Sequence, residues 1–477
     1  MIFGLFKKDE NADLVFVNGR VYTQNPDFPW AEAIACKGSK IIYVGSRTDA
    51  ESIVGSETCV IDMKGGFMFP GLIHTHSHPA LRVFEDIYIP FSEGLDLEEV
   101  QGVLTDYILE HPDRESYFGY GFAGHLLDSM SEEEAKQLLD ELYNEKPVVV
   151  LSSGEEKLWL NSCAFEAVRA AAQADGVAMI TTSYLMHVVA PIEYDEILKK
   201  VASTVTAYCE KGFTSIFNAG APEFMNEVYQ QVLAAMYQQG VLKQRNFDSF
   251  QVVRDVVPER VIQRLMQKRT NATEMDGFIN CEVLKLILKS DAEKYLISPS
   301  VLKQLMRQAS DRNFNIHVDA EGKMAFQECM KAISETRNAG YRKNSFTVAC
   351  EPEVYTSDGE FHLEDMHCDN VFFQVPTLCE PNFEYAALEG AKNVEEIIDR
   401  LTIDAAIALG INDKLGSIER GKLADLVIFD ENPFELIEPG LFKRLSASMT
   451  VLNGEVVYDA EEENLQEWYD LMAAQQL

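Results

Sequence analysis

Between Pro70 and Lys414 the chain alternates short apolar runs with amphipathic ones, and this alternation restricts the fold more than any other feature. Val148-Val149-Val150-Leu151 reads as a strand. Ile197, Leu198, Val201, Val205 and Tyr208 mark one face of a helix that stops at Gly212, and the strand Thr214-Ser215-Ile216-Phe217 follows. Ser298-Pro299 opens another helix, with Ser as N-cap and Pro at the first position. Its buried stripe is Leu302, Leu305, Met306 and Ala309, and the strand Phe314-Asn315-Ile316-His317-Val318 comes next. Repeated strand–helix units imply a parallel sheet with crossover helices. About 340 residues of them predict an α/β fold, a (β/α)8 TIM-like barrel over residues 70–414. Active sites of that fold lie at the C-terminal ends of the strands.

The two ends of the chain resemble each other. Leu14-Val15-Phe16-Val17-Asn18-Gly19-Arg20-Val21-Tyr22 reads as a hairpin with an Asn-Gly turn, and Met449 to Tyr458 repeats the design around Asn453-Gly454. Lys40-Ile41-Ile42-Tyr43-Val44-Gly45 and Leu423-Ala424-Asp425-Leu426-Val427-Ile428-Phe429 are further strand-like runs. Together they predict a small β-sandwich domain formed from both termini, residues 1–69 and 415–477. Leu465, Trp468, Tyr469, Leu471 and Met472 have helical spacing and are expected to pack on the same chain.

Residues 74–78 read His-Thr-His-Ser-His. Alternate residues of a strand share a face, so His76 and His78 aim two imidazoles at one point. A divalent metal takes neutral imidazole nitrogen at about 2.0–2.1 Å. His74 is expected on the same face, one step deeper. With 9 histidines in 477 residues, three at alternate positions favour a metal site over chance.

The formal charge of −36 opposes nucleic acid and anionic membrane surfaces. No run of about 18 apolar residues occurs, so no membrane span is expected. The N-terminus lacks the order of a secretory signal, and nine scattered cysteines without a CxxC pair fit reduced thiols in a cytoplasm.

Phe69-Pro70-Gly71-Leu72-Ile73-His74-Thr75-His76-Ser77-His78 resembles the first-strand motif of the amidohydrolase superfamily. Leu415-Gly416-Ser417-Ile418-Glu419-Arg420-Gly421-Lys422-Leu423-Ala424-Asp425 resembles that superfamily's return into its small β-domain. Lys211-Gly212-Phe213-Thr214-Ser215-Ile216 and Leu160-Asn161-Ser162 look like the branch that contains N-substituted formamide deformylases. The resemblance implies one or two divalent ions, zinc first, which activate a water to cleave a C–N bond of an amide, formamide or cyclic amide. It implies a small-molecule substrate and leaves self-association open. By local match His76 and His78 are metal ligands. Lys285 matches a lysine that is carbamylated and bridges two metals, against the alternative of a plain lysine at a strand end. His317 matches the fifth-strand histidine, and a register shift of two puts Asp319 there instead.

Several positions depart from the pattern. His74 stands where an acidic residue is usual. Cys350 replaces the sixth-strand histidine, either as a thiolate ligand or as an inert buried thiol. Gly154-Glu155-Glu156 and Lys289-Ser290 replace a Gly-His and an Asp-Gly. The last-strand aspartate has no counterpart. Val371-Phe372-Phe373-Gln374-Val375-Pro376 is the best fit and puts Gln374 in its place, with Asp369 and Glu380 as the nearby carboxylates. Asp369 is the expected proton acceptor. The alternative to a working hydrolase is a degenerate relative that keeps the fold and binds a small molecule or partner.

Overall fold

The computed structural model describes residues 11–84, 87–92, 94–153, 157–177, 180, 182–189, 194–272, 275, 277–291, 294–351, 370–374, 393–435 and 445–461. They form two compact units: Met1–His78, Ala202–Gly220 and Ala234–Leu477 make one, Pro79–Val201 and Ala221–Leu233 the other. Asp369, Glu380, Gly154-Glu155-Glu156 and the stretch from Leu465 to Met472 expected to be helical lie outside the described residues.

In the first unit seven strands pair in chain order, all parallel. They are β1 (Leu72–Ser77), β2 (Phe213–Asn218), β3 (Arg245–Val252), β4 (Ile279–Leu288), β5 (Asn315–Ala320), β6 (Phe346–Ala349) and β7 (Val371–Gln374). The sheet curls into a half-barrel. Every residue of β1, β2 and β6 is buried, as expected of strands covered on both faces. The helix Pro299–Asp311 starts where Ser298-Pro299 predicts, but the Ser298 hydroxyl meets that of Ser300 and makes no side-chain cap. Its stripe of Leu302, Leu305, Met306 and Ala309 packs with Leu284, Leu286, Ile316 and Val318. Each large side chain so buried contributes about 1.5–3 kcal/mol. Gly212 follows the helix Tyr194–Glu210 at φ +84°, where a Cβ would also meet Val427 at 2.4 Å.

Among the described residues the expected last strand, Val371–Gln374, is seventh in this sheet. The strand Val148–Ser152 also forms, but in the second unit. There it pairs in parallel with Tyr117–Phe122 and antiparallel with Leu158–Leu160, so both its edges are occupied. Two helices of this unit, Leu97–Glu110 and Glu132–Leu142, begin at capping boxes, Asp96 with Glu99 and Ser131 with Glu134.

Strands from both ends of the chain share one six-stranded sheet. Its order is Glu455–Asp459, Met449–Leu452, Leu426–Phe429, Phe67–Pro70, Arg20–Tyr22, Trp30–Ala31. A four-stranded sheet holds Lys40–Gly45, Ala33–Lys37, Leu14–Val17 and Cys59–Asp62. Leu14, Phe16, Ile34 and Ile41 of the latter share one apolar cluster with Met68, Leu426, Ile428 and Val451 of the former. The Asn453-Gly454 hairpin is as expected, with both residues at positive φ. The Asn18-Gly19 hairpin is not: Leu14–Val17 and Arg20–Tyr22 belong to different sheets. Asn18 turns the chain at φ 57°, and Gly19 lies where a Cβ would meet Met63 at 2.6 Å and the Gly66 carbonyl at 2.7 Å.

Candidate metal centre

The C-terminal ends of β1, β4 and β5 bring together most of the residues singled out in the sequence. β4 and β5 pair with Lys285 beside His317 and Ile287 beside Asp319. Strand alternation therefore puts Lys285, His317 and Asp319 on one face. His76 Nδ1 lies 2.9 Å from His317 Nε2, and His76 Nε2 lies 3.3 Å from His78 Nε2. Lys285 Nζ donates to Asp319 Oδ1 at 2.5 Å. The same oxygen is 3.6 Å from His317 Nε2 and 3.8 Å from His76 Nδ1. Ligand atoms of His76, His317 and Asp319 all fall within 4.8 Å of one another. Phe217 stacks on the His317 ring at 4.9 Å and 27°, which fixes its plane.

Burial, then the nearby Lys285 ammonium, lowers the pKa of all three histidines: His76 falls well below its ordinary value and His317 to about 4. Burial also lowers Lys285, against the opposing pull of Asp319. For Asp319 burial pushes upward, but Lys285, His76 and His317 hold the carboxyl well below the usual range. The imidazoles are therefore neutral near pH 7, the form that binds metal.

The proton on each ring follows from one carbonyl. His78 Nδ1 lies 2.6 Å from the Gly220 oxygen, which only accepts, so Nδ1 carries the hydrogen and Nε2 is bare. His76 Nε2 then donates to His78, and its bare Nδ1 accepts from His317 Nε2. Two nitrogens bound to one tetrahedral ion at about 2.0–2.1 Å stand roughly 3.3 Å apart. The His76–His78 separation matches that span. A bound ion would displace the hydrogen shared between those two nitrogens. Donor types and spacing thus fit a divalent metal.

His74 does not join this group. It pairs across the ladder with Ile216, whereas Phe217, the next residue, faces His317. Its ring packs on Tyr208 at 5.9 Å and Phe213 at 5.3 Å. The β1–β2 ladder shifts register between Ile216 and Asn218, which breaks strict alternation between residues 74 and 76. Cys350 follows β6 and packs in the apolar cluster of Leu284, Val318 and Val348. Burial, then Glu351, pushes its thiol up to about 12. Gln374 pairs with Ala349 at the end of β7. Gly220 and Phe217 escaped the sequence reading. Their one signal is position, at or just past the C-terminal end of a barrel strand.

A family model described as the amidohydrolase family matches residues 59–351 and 377–458. The chain belongs to the amidohydrolase family. The exoenzymes regulatory protein AepA of Pectobacterium carotovorum is 24% identical over 78% of this chain and 86% of its own length. An N-substituted formamide deformylase of Arthrobacter pascens is 20% identical over 94% of this chain and 98% of its own. An adenosine deaminase of Xanthomonas campestris, solved with bound zinc, superposes with a TM-score of 0.54 at 13% identity, over 98% of this chain and 99% of its own.

Proposed function

We propose that this chain is a metal-dependent hydrolase that cleaves a C–N bond of an amide, formamide or cyclic amide in a small molecule. The observation that supports it most is the convergence of His76 and His78 Nε2 beside His317, Asp319 and Lys285. His76, His78, His317 and Asp319 would be the ligands, with Lys285 as a carbamylated bridge. Because His76 turns Nε2 to His78 and Nδ1 to His317 and Asp319, its ring would have to turn for one ion to hold all four. Zinc suits this mixture of imidazole and carboxylate. When bound, such an ion supplies Lewis acidity and a water that ionises near neutral pH. The chain's own residues supply neutral donors, a stacked Phe217 that fixes one ring, and buried walls that exclude bulk water. Asp369 remains the assigned proton acceptor. Cys350 packs in the apolar cluster and lies outside the group of His76, His317 and Asp319, which favours the inert buried thiol over the ligand. The relative named N-substituted formamide deformylase favours a formamide among the substrates.

The same reading closes the parallel sheet into a (β/α)8 barrel over residues 70–414. It makes residues 1–69 and 415–477 one composite β-sandwich. Cys36, Cys59, Cys163, Cys209, Cys281, Cys329 and Cys350 are free thiols, which supports a cytoplasmic setting. Among the described residues no helix is long and apolar enough to cross a membrane.

One observation favours the second reading, a binding protein without hydrolysis: Lys285 already neutralises Asp319. Elemental analysis of the purified protein separates the two. Stoichiometric zinc in the wild type, lost in His76→Ala and His78→Ala, is the expected result. Equal metal content in the wild type and His78→Ala sinks the hydrolase.

A further inference from the structure

We infer that Asn218 is a positioning residue: acting through Gly220, it sets which nitrogen of His78 is free to take a metal ion. This rests on the metal reading of His78 above.

Asn218 ends β2 and is fully buried. Its Oδ1 accepts the Gly220 N–H at 3.1 Å, and its Nδ2 donates to Asp248 Oδ1 at 3.0 Å. These partners permit one amide orientation only, since the peptide N–H needs an oxygen and the carboxylate needs a donor. The Ser249 hydroxyl donates to the Asn218 carbonyl at 2.8 Å. From the other side, the Ser77 hydroxyl donates to the Phe217 carbonyl at 2.9 Å and the Ala219 N–H to the Ser77 carbonyl at 2.7 Å. Residues 217–220 are thus tied to both β1 and β3.

Gly220 sits at φ +107°, a conformation that L side chains rarely adopt, and a Cβ there would lie 2.2 Å from Gln251 Oε1. In this conformation its N–H meets Asn218 while its carbonyl meets His78 Nδ1 at 2.6 Å. The chain of contacts runs from Asp248 through Asn218 and Gly220 to His78, and it leaves Nε2 directed at His76. Partners that orient a ligating histidine in this way typically carry about 10–100-fold in metal affinity.

The test is zinc affinity of the full-length protein by chelator competition, with nitrogen-resolved NMR of the His78 ring. Asn218→Ala should bind zinc about 10–100-fold more weakly. The exchange Asn218→Asp with Asp248→Asn reverses the polarity of one hydrogen bond and keeps both, so it should restore affinity to within about threefold of wild type. Metal-free wild type should carry its His78 proton on Nδ1, and Asn218→Ala should show a mixture. The inference is overturned by Asn218→Ala binding like wild type, by an exchange variant as weak as Asn218→Ala, or by a wild-type His78 protonated on Nε2. His78→Ala is measured alongside. If it binds zinc like wild type, the metal reading itself is wrong. If it alone loses zinc, only the role of Asn218 is.

Discussion

Two buried ion pairs occupy opposite ends of the same parallel sheet. At the N-terminal end of β3, Arg245 grips Asp425 through two bonds, Nε to Oδ2 at 2.6 Å and Nη2 to Oδ1 at 2.9 Å. Both side chains are 1% exposed. Nη2 also donates to Asn453 Oδ1, the Asn453 N–H donates to Asp425, and the guanidinium lies over the Phe278 ring. At the C-terminal end Lys285 reaches Asp319 through one oxygen, among histidines that also face it. The first pair is closed: a planar fork meets a carboxylate, and the remaining valences go to neighbours. The second is open, because a point-charge amine whose pKa burial has already lowered holds an oxygen that a metal could take. Both bury charge, but only in the second do neutral imidazoles share the carboxylate oxygen with the cation. Burial of an ion pair therefore does not by itself separate a candidate site from a structural one; the company it keeps, here neutral imidazoles, does.

Breaking the closed pair should have the largest effect. Arg245→Met leaves Asp425 buried without its cation and should cost about 3–5 kcal/mol by denaturant unfolding. The loss should be the same with or without zinc. A loss under about 1 kcal/mol would show that this pair is open too.

The open end should report itself through pH. His317 titrates near 6.5 unfolded and at about 4 folded, so between those values the unfolded chain binds more protons. Its contribution is complete above pH 6.5 and is lost as pH falls through that window toward 4. For this one group the effect is on the order of 3 kcal/mol. Unfolding of the metal-free protein between pH 7 and 4.5 should show it, and His317→Leu should flatten that slope. A slope unchanged in the variant would place the titration elsewhere.

The smallest stability change is expected at Lys285. In zinc-loaded protein Lys285→Ala should cost about 1–2 kcal/mol, since the ion itself compensates Asp319. Bound zinc should fall, with partial recovery on adding a short carboxylic acid in place of the carbamate. A loss as large as that of Arg245→Met, independent of zinc, would make the two pairs equivalent and remove Lys285 from the metal centre.

Much of the candidate site's geometry was legible from local pattern. The pair His76 and His78, Lys285 inside an apolar strand, and both His317 and Asp319 of the β5 alternative fall at one place. The alternation rule failed at His74, because a register shift in the ladder with β2 is a property of two strands and not of one. Cys350 was ambiguous for the same kind of reason: whether a thiol faces ligands or core depends on which face its neighbours cover. Gly220 carried no signal beyond its place after a strand. Its carbonyl matters only because the turn brings it to His78.

The two Asn-Gly dipeptides divide what sequence determines from what it does not. Local chemistry dictates that each turns the chain, since asparagine and glycine tolerate positive φ, and Asn18 and Asn453 adopt nearly the same value. Periodicity likewise determined the parallel strand–helix order, and the spacing of His76 and His78 determined that two imidazoles converge. Only the tertiary structure decided that Asn453-Gly454 closes a hairpin while Asn18-Gly19 passes the chain from one sheet to another. It also decided which buried charge is sealed and which is left open. Partner strands and register come from contacts between residues far apart in the chain, and a local pattern records only what a residue prefers, not which neighbour it meets.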